Sequence, residues 1–233
     1  MSQSVQIGEH RANRVQQRKE RVLAAILEGA ERQFLERGYT ATTLETIATT
    51  ANVGVGTIYS YFGGKDDLFL AVIERSLDML ETYQAPSFAS EESPRQQLVS
   101  AGEAYLRFAS DHPRHFHLLT FSQYDASHIS PDSRAAERYA RLCRRIDGLI
   151  DRLANVVQGM VAGGAQETLN AYQIAHFLWG AWNGVITLCL RNNAHRLDTP
   201  SAEAVLMQGR RLLFAGIEAL LSNATDGQGL LSQ

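Results

Sequence analysis

The chain has 233 residues, of which 45% are hydrophobic and 20% are charged, with a formal net charge of −3, as expected for a globular chain with a sizeable core. No apolar run approaches the roughly 18 residues that a membrane span needs, and residues 1–20 lack the apolar stretch of a signal peptide, which favours a cytoplasmic protein without a membrane partner. Cys143 and Cys189 lie far apart without metal-ligand spacing, so neither a metal nor a cofactor is predicted.

Positive charge is concentrated near the N-terminus. Residues 1–65 carry eight Lys or Arg and six Asp or Glu, whereas the remainder carries fourteen and nineteen. We expect residues 1–17 to form a flexible basic arm. Such charge suits contact with phosphates, and it is equally typical of a solvated helix face.

Helical periodicity extends over almost the whole chain. Apolar residues recur at three- and four-residue spacing, and no alternating β-branched run is present, so the sequence predicts an all-α protein of roughly nine helices. The first helix is predicted from about Arg18 to Arg37 with a C-cap at Gly38. Its apolar stripe consists of Val22, Ile26, Ala30 and Phe34.

Two short helices are predicted next. A capping box from Thr42 to Glu45 begins the first, in which the Thr42 hydroxyl accepts an early amide N–H and Glu45 reaches back. Residues 52–54 make a turn, and the second helix covers about Gly54 to Tyr61. Two short helices joined by a tight turn and preceded by a supporting helix form a helix-turn-helix, whose second helix enters the DNA major groove.

The later helices begin at clear start signals. A long helix is predicted from Lys65 to about Tyr83, and further helices begin at Ser93-Pro94, Pro113, Ser130-Pro131 and residues 198–200. Residues 163–164 are predicted to end the helix that follows Pro131. We therefore expect a DNA-binding domain at 18–64, a ligand-binding and dimerisation domain at 65–222, and a disordered tail at 223–233.

Several motifs of the first 70 residues occur in series. They are FLERGY at 34–39, TT at 42–43, IA at 47–48 and GTIYSYFGGKDDL at 56–68. Over about residues 18–70 the chain closely resembles the tetracycline-repressor (TetR) family. The resemblance implies a three-helix DNA-binding head, a linking helix, a body that binds an effector and dimerises, and loss of operator binding when ligand occupies the body.

Residues of the head receive individual roles. Thr43 at a helix N-terminus is placed to bind a phosphate, although simple capping explains it nearly as well. The resemblance favours Tyr59 for contact with the DNA backbone, whereas Tyr61 can instead lock the recognition helix onto the first helix. A phosphate partner would explain Lys65, and arm residues Arg11 or Arg14 can supplement these contacts. The complete predicted DNA-binding set is Thr42, Thr43, Gly54, Val55, Thr57, Tyr59, Ser60, Tyr61 and Lys65, among which Val55 and Thr57 can contact thymine methyl groups.

The body carries a predicted effector pocket and a predicted dimer interface. Aromatic and histidine side chains predict a pocket for an apolar or aromatic small molecule, although ordinary core packing explains any single one equally well. They are Tyr105, Phe108, His115, Phe116, Tyr124, Ile146, Trp179, Trp182 and Asn183. Apolar and small residues on two helices predict a homodimer through a four-helix interface. They are Ile174, Leu178, Ala181, Val185, Gly209, Leu213 and Gly216.

Three alternatives remain open at the level of sequence. Nothing distinguishes a repressor from an activator or a nucleoid-type DNA-binding regulator. A metal sensor using His112, His115 and His117 is a weaker reading. An enzyme using the region from His112 to His128 is disfavoured because no GxSxG, HExxH, phosphate loop or paired-carboxylate motif is present.

Overall fold

The computed structural model describes residues 2–121, 124–161, 170–191 and 196–229, and the side chains of 13–120, 124–161, 170–191 and 196–220. Within these ranges the chain forms nine α-helices, a single 3-10 turn at Ala126–His128 and no strand, which confirms the all-α prediction. The helices are α1 (Ser2–Ala41), α2 (Leu44–Ala51), α3 (Val55–Tyr61), α4 (Lys65–Ala89), α5 (Pro94–Asp111), α6 (Pro113–Phe121), α7 (Arg134–Val161), α8 (Ala171–Leu190) and α9 (Thr199–Gly229).

Three long helices extend beyond their predicted limits. Helix α1 begins at Ser2 instead of about Arg18, because residues 9–20 contain neither glycine nor proline and are rich in helix-forming Glu, Gln and Arg. Helix α4 continues through Pro86 to Ala89, so the proline does not end it. Helix α9 reaches Gly229, inside the tail predicted to be disordered, and residues 230–233 lie outside the described residues.

The capping box of α2 is one residue later than predicted. The N-cap is Thr43, whose hydroxyl accepts the Thr46 N–H at 3.3 Å, while the Thr46 hydroxyl accepts the Thr43 N–H at 3.2 Å. The buried hydroxyl of Thr42 instead shares its hydrogen between carbonyl oxygens of α1, that of Gly38 at 2.8 Å and that of Gln33 at 3.1 Å. Helix α1 is interrupted at Gly38, the predicted C-cap, whose φ of +75° is a conformation that residues with a Cβ rarely adopt.

Later helix starts agree with the sequence signals at four of five places, among them Lys65 for α4 and Thr199, within residues 198–200, for α9. Ser93 caps α5 through a capping box with Gln96, with proline as the first helical residue, and α6 begins at Pro113. Helix α7 begins at Arg134 and not at Pro131, because residues 131–133 form a turn. The predicted stop at residues 163–164 lies outside the described residues.

The chain forms two compact units that differ from the predicted division at 64/65. The first unit comprises Met1–Leu77 and Phe121–Leu142, and the second comprises Asp78–Thr120 and Cys143–Gln233. Helices α4 and α7 each contribute one end to each unit. Residues 121–142 belong to the first unit although they are distant from it in sequence, which periodicity alone does not reveal.

Each unit has its own apolar core. In the first, the predicted stripe residues Ile26, Ala30 and Phe34 are buried together with Ile47 and Ile58. In the second, the core cluster is formed by residues of α5, α7, α8 and α9, namely Leu98, Ile150, Leu153, Val156, Val157, Ala171, Ala175, Leu178 and Phe214. These cores hold α3 and the helices of the second unit in place.

Candidate nucleic-acid interface and apolar cavity

One side chain of helix α3 is buried, and the other residues of the helix are partly or fully exposed. Ile58 is completely buried, whereas Tyr59 is 57% exposed and Ser60 is exposed as well. Gly54, the N-cap of α3, is exposed, and Val55 and Thr57 are half-buried. The predicted base-reading residues therefore lie at the accessible N-terminal end and outer side of this helix.

The two tyrosines of α3 have different environments. The Tyr61 hydroxyl donates to the Lys19 carbonyl oxygen of α1 at 3.4 Å, and Phe62 beside it is buried. Tyr61 therefore links the recognition helix to the first helix, one of the two roles considered for it. The exposed Tyr59 ring leaves its phenolic tip accessible to a phosphate oxygen.

The remaining predicted phosphate ligands lie on the same unit. Thr43 is exposed at the N-terminus of α2, where its hydroxyl serves as the cap. Thr42 is completely buried behind it. The Lys65 ammonium lies 4.2 Å from the centre of the Tyr39 ring, and partial burial lowers the pKa of Lys65 despite the neighbouring Asp66. Arg14 is exposed on α1, whereas the side chain of Arg11 lies outside those described.

The carboxylate of Asp66, at the start of α4, is the centre of a hydrogen-bonded group of side chains that was not predicted from the sequence. We call this group the carboxylate cluster. One oxygen of Asp66 accepts hydrogen bonds from the hydroxyls of Tyr39 at 2.5 Å and Tyr124 at 2.8 Å, and it lies 3.0 Å from Nε2 of His128. Partial burial opposes ionisation of Asp66, but the bonds from Tyr39, His128 and Tyr124 outweigh it and lower the pKa of the carboxyl group. Burial and these bonds raise the pKa of both tyrosines, which remain protonated donors.

A second carboxylate fixes the loop after α3. Asp67 is almost fully buried, and its side chain accepts the Gly63 N–H at 2.9 Å and Nε of Arg138 at 2.7 Å. Arg138 also pairs with Glu74. Arg134 donates to the Tyr61 carbonyl oxygen at 3.4 Å. Residues of the segment 124–138 thus hold both the C-terminal end of the recognition helix and the beginning of α4.

Four of the nine predicted pocket residues are buried. Tyr105, Phe108 and Phe116 are buried, and His115 is nearly so. The Tyr105 hydroxyl donates to Oδ1 of Asn183 at 2.7 Å. The other four lie in different places: Tyr124 in the first unit beside Asp66, Ile146 half-buried on α7, Trp179 exposed on α8, and Trp182 half-buried on α8 against Tyr105.

The second unit contains a cavity of about 950 Å³ between α5, α8 and α9. Its wall is largely apolar, with Leu98, Leu106 and Trp182 among its lining residues, and Trp182 is the one member of the predicted pocket set on it. Trp182 packs against α5 where Gly102 has no side chain; a Cβ there would lie 3.1 Å from the indole. Charged lining residues come from α5 and α9 and are Glu103, Arg107, Asp111, Glu203 and Arg210.

The predicted dimer residues divide between the core and an exposed surface. Leu178 is buried, Ile174 and Leu213 pack against the core cluster, and Val185 is half-buried. Ala181, Gly209 and Gly216 are exposed. Helices α8 and α9 also expose large apolar side chains that were not predicted from the sequence, Phe177, Val205, Met207 and Leu212, of which Phe177 is 67% and Leu212 is 75% exposed. We call these four residues with Ala181, Gly209 and Gly216 the α8/α9 face.

The described residues offer neither a metal site nor a membrane span. No group of three or more His, Cys, Asp or Glu side chains among them is placed to hold a metal ion. No helix in the described part of the chain is long and apolar enough to cross a bilayer.

A helix-turn-helix head with an accessible second helix, together with a helical unit that contains a cavity, defines a DNA-binding regulator of transcription. Matches to known protein families agree with this class. Residues 26–72 match the family model for bacterial regulatory proteins of the tetR family, and residues 98–209 match that of the tetracyclin repressor-like C-terminal domain. The chain belongs to the tetR family.

Individual relatives carry different regulatory names. The HTH-type transcriptional activator FasR of Mycolicibacterium smegmatis is 30% identical over 117 residues, which are 50% of this chain and 52% of FasR. An HTH-type transcriptional repressor of Mycobacterium tuberculosis is 43% identical over 56 residues, 24% of this chain and 30% of the repressor. The chain thus aligns with about half or less of these relatives.

Solved structures share the fold. FadR from Bacillus subtilis in complex with stearoyl-CoA superposes with a TM-score of 0.65 at 17% identity, covering 83% of this chain and 98% of FadR. At this identity the likeness establishes the fold alone.

Proposed function

We propose that this chain is a cytoplasmic, homodimeric transcriptional repressor, without enzymatic activity, that leaves a palindromic operator when a small apolar or aromatic ligand binds the cavity of the second unit. The observation that carries the proposal is the pairing of an exposed α3 with an apolar cavity in the same chain. The head supplies affinity for DNA, and the cavity supplies a site at which a ligand can change it.

The head supports binding to double-stranded DNA. Tyr59 offers a phosphate donor, and Thr43 and Lys65 lie at helix N-termini on the same unit. No long base-reading donor stands among Gly54, Val55 and Thr57, so shape and thymine methyl groups are the better source of sequence preference. The α3 helices of a dimer suit half-sites about 34 to 36 Å apart or a modest multiple of this distance.

The α8/α9 face supports a homodimer. A twofold interface must be complementary to itself, because the same patch occurs on both subunits. The face combines projecting side chains, Phe177 and Leu212, with open positions at Gly209 and Gly216, where no atom of another helix lies within 4 Å of the position that a Cβ would occupy. A partner's projecting side chain can therefore lie over a glycine of this chain, and the reverse.

The cavity supports an apolar ligand. Its volume suits a small molecule, its wall is largely apolar, and Trp182 offers an aromatic surface. FadR, which shares the fold, is described as a complex with stearoyl-CoA, so this acyl thioester is a sensible first trial ligand. The charged side chains of the wall do not favour an acidic end, because Arg210 pairs with Glu103 at 3.7 Å and three acids line the cavity with two arginines.

Activation is the second candidate function. The name of FasR as an activator favours it, whereas the name of the mycobacterial relative favours repression. The position of the bound site relative to a promoter separates the two.

The decisive experiment is a genomic footprint with the purified full chain, followed by titration of the bound fragment. We expect protection of a palindrome overlapping a promoter, with affinity that falls steeply as salt increases, and release when the trial ligand is added. A site upstream of the promoter with increased transcription would establish activation instead. Absence of salt-sensitive binding to any fragment of its own genome would contradict a DNA-binding function.

A further inference from the structure

Lys65 and the carboxylate cluster lie next to each other at the start of α4. The Lys65 ammonium lies 4.2 Å from the centre of the Tyr39 ring, and the hydroxyl of the same ring donates to Asp66. The position of the ammonium therefore depends on where the Tyr39 ring is held. Because Lys65 directly precedes Asp66 in the chain, the charge of the cluster also acts on this cation.

Two residues from a distant part of the sequence hold this arrangement. The Tyr124 ring meets the Tyr39 ring edge to face, with 5.1 Å between their centres, and its hydroxyl donates to the same Asp66 oxygen. Nε2 of His128 lies 3.0 Å from that oxygen, and 47% of the His128 side chain is exposed. Residues 124–128 thus fix the ring beneath Lys65, and they keep an imidazole within reach of solvent protons.

The charge of the cluster depends on its one histidine. Partial burial opposes ionisation of Asp66, but its hydrogen bonds prevail and lower the pKa of the carboxyl group, so it stays negative near neutral pH. Histidine is the side chain that ordinarily changes charge between about pH 5 and 8. Other charged or titratable side chains that interact with the cluster are Lys65, Asp125 and Tyr139, none of which is a second histidine.

We propose that His128 is a positioning residue for Lys65, and that DNA binding by the head strengthens when the His128 imidazole carries a proton. An imidazolium forms a charge-assisted hydrogen bond to Asp66, which holds Tyr39 and the ammonium in place. It also offsets the carboxylate charge, which otherwise attracts the ammonium and repels a DNA phosphate. The inference rests on the proposed function, because it takes Lys65 as a phosphate ligand from there. Linkage then requires that DNA binding is accompanied by proton uptake.

The test measures binding of the full chain to a fluorescein-labelled duplex of mixed sequence, because phosphate contacts do not depend on sequence. Anisotropy at constant ionic strength gives the affinity at about pH 8 and about pH 6. We expect the wild-type affinity to rise on the order of tenfold at the lower pH. His128→Gln keeps an N–H donor but does not titrate, so its affinity should rise about threefold less. His117→Gln, at an exposed position of α6 in the second unit, is the matched control and should keep the wild-type rise.

A second set of variants separates positioning from a general effect of charge. Lys65→Ala should weaken binding at both pH values, and in its background His128→Gln should have no further effect, because the histidine acts through the lysine. Tyr124→Phe removes one hydrogen bond to Asp66 but no charge, so it should weaken binding at both pH values. Circular dichroism confirms that each variant is helical.

Calorimetry provides a readout that does not depend on any variant. Titration of wild-type protein with the duplex at about pH 7, in two buffers of different ionisation enthalpy, counts the protons taken up on binding. We expect uptake by the wild-type chain and less uptake by His128→Gln. Absence of uptake by the wild-type chain would overturn the inference.

The other outcomes distinguish the inference from the function on which it rests. His128→Gln with the wild-type pH dependence, or with an undiminished effect in the Lys65→Ala background, overturns the inference and leaves the proposed function intact. Affinity unchanged by Lys65→Ala overturns it by removing this phosphate ligand, again without contradicting DNA binding. Absence of salt-sensitive binding of the wild-type chain to the duplex would contradict the proposed function itself.

Discussion

At the scale of single residues, the side chains of the head divide into those that face solvent and those that hold the head together. Tyr59 faces outward, whereas the hydroxyls of Tyr61 and Thr42 are bonded to backbone carbonyls of α1 and its end. The sequence favoured Tyr59 for DNA and left two roles open for Tyr61, but it placed the buried Thr42 in the DNA-binding set. The separation depends on which side of α3 and α2 meets α1.

Replacement of Tyr59 by phenylalanine tests the outward role. We expect Tyr59→Phe to weaken binding to all DNA sequences alike, by about five- to tenfold, since one hydrogen bond to a phosphate contributes roughly 1 kcal/mol. Fluorescence anisotropy measures the affinity for the operator duplex and for unrelated duplexes. Tyr61→Phe is the matched control and should change DNA affinity less, because its hydroxyl already bonds to Lys19. Equal loss in both variants would contradict this assignment.

Asp66 should make the first unit sensitive to acid. Its pKa in the folded chain lies below the ordinary aspartate value, so its contribution to stability is fully present above about pH 4 and is lost as pH falls through the folded-state pKa. Asp66→Asn should therefore lower the free energy of unfolding at pH 7 more than at pH 3, as measured by urea denaturation. Asp132→Asn, at an exposed position, should show no such difference. A pH-independent effect of Asp66→Asn would be inconsistent with the carboxylate cluster.

At the scale of helices, α4 and α7 are joined by ion pairs between arginines of α7 and acids of α4. Arg138 is the least exposed of these arginines, with 19% of its side chain accessible against 45% for Arg141, and both pair with Glu74. Breaking a buried ion pair lowers the stability of the fold strongly, because the remaining charge is buried without a partner. An exposed ion pair contributes little to stability. The other pairs of this series are Arg145 with Asp78 and Glu81, and Arg152 with Glu81.

The two arginines that share Glu74 offer a controlled comparison. Arg138→Met should destabilise the chain by about 3 kcal/mol, because the buried Asp67 loses its guanidinium. Arg141→Met should cost less than about 1 kcal/mol. Urea denaturation followed by circular dichroism measures both. Similar values for the two variants would show that burial does not decide the strength of these pairs.

At the scale of the whole molecule, the proposed dimer would bind an operator with two heads together. Leu212→Glu places a carboxylate in the middle of the α8/α9 face, and we expect it to convert the dimer into a monomer and to reduce operator affinity at least a hundredfold. Light scattering and anisotropy measure the two effects. Val15→Glu introduces the same charge at an exposed apolar position of α1 and should leave the mass unchanged. A Leu212→Glu protein that remains dimeric would exclude this face as the interface.

Local sequence signals were sufficient to assign the class of the protein and most of its helices. The short helices, their turn and the start of α4 follow from caps, glycines and periodicity within about 30 residues, and these local signals also carry the resemblance to the tetR family. Periodicity assigned Ile174, Leu178 and Ala181 to one surface, yet Leu178 lies in the core and Ala181 is exposed. A strongly apolar helix such as α8 has no polar side to orient it, so its sequence does not specify which side faces the core and which is exposed.

Which distant residues meet is specified by packing and not by any local signal in the sequence. Asp66 and Asp67 lie in the recognised motif, but their partners Tyr124, His128 and Arg138 are 58 to 71 residues away, and no spacing rule connects them. Of the aromatic residues expected to line a pocket, Tyr105, Phe108 and Phe116 are buried and Trp182 lines the cavity, and composition does not separate the two because packed cores and pockets are built from the same residue types. Periodicity specifies which residues share a face of a helix, and packing alone specifies what that face contacts.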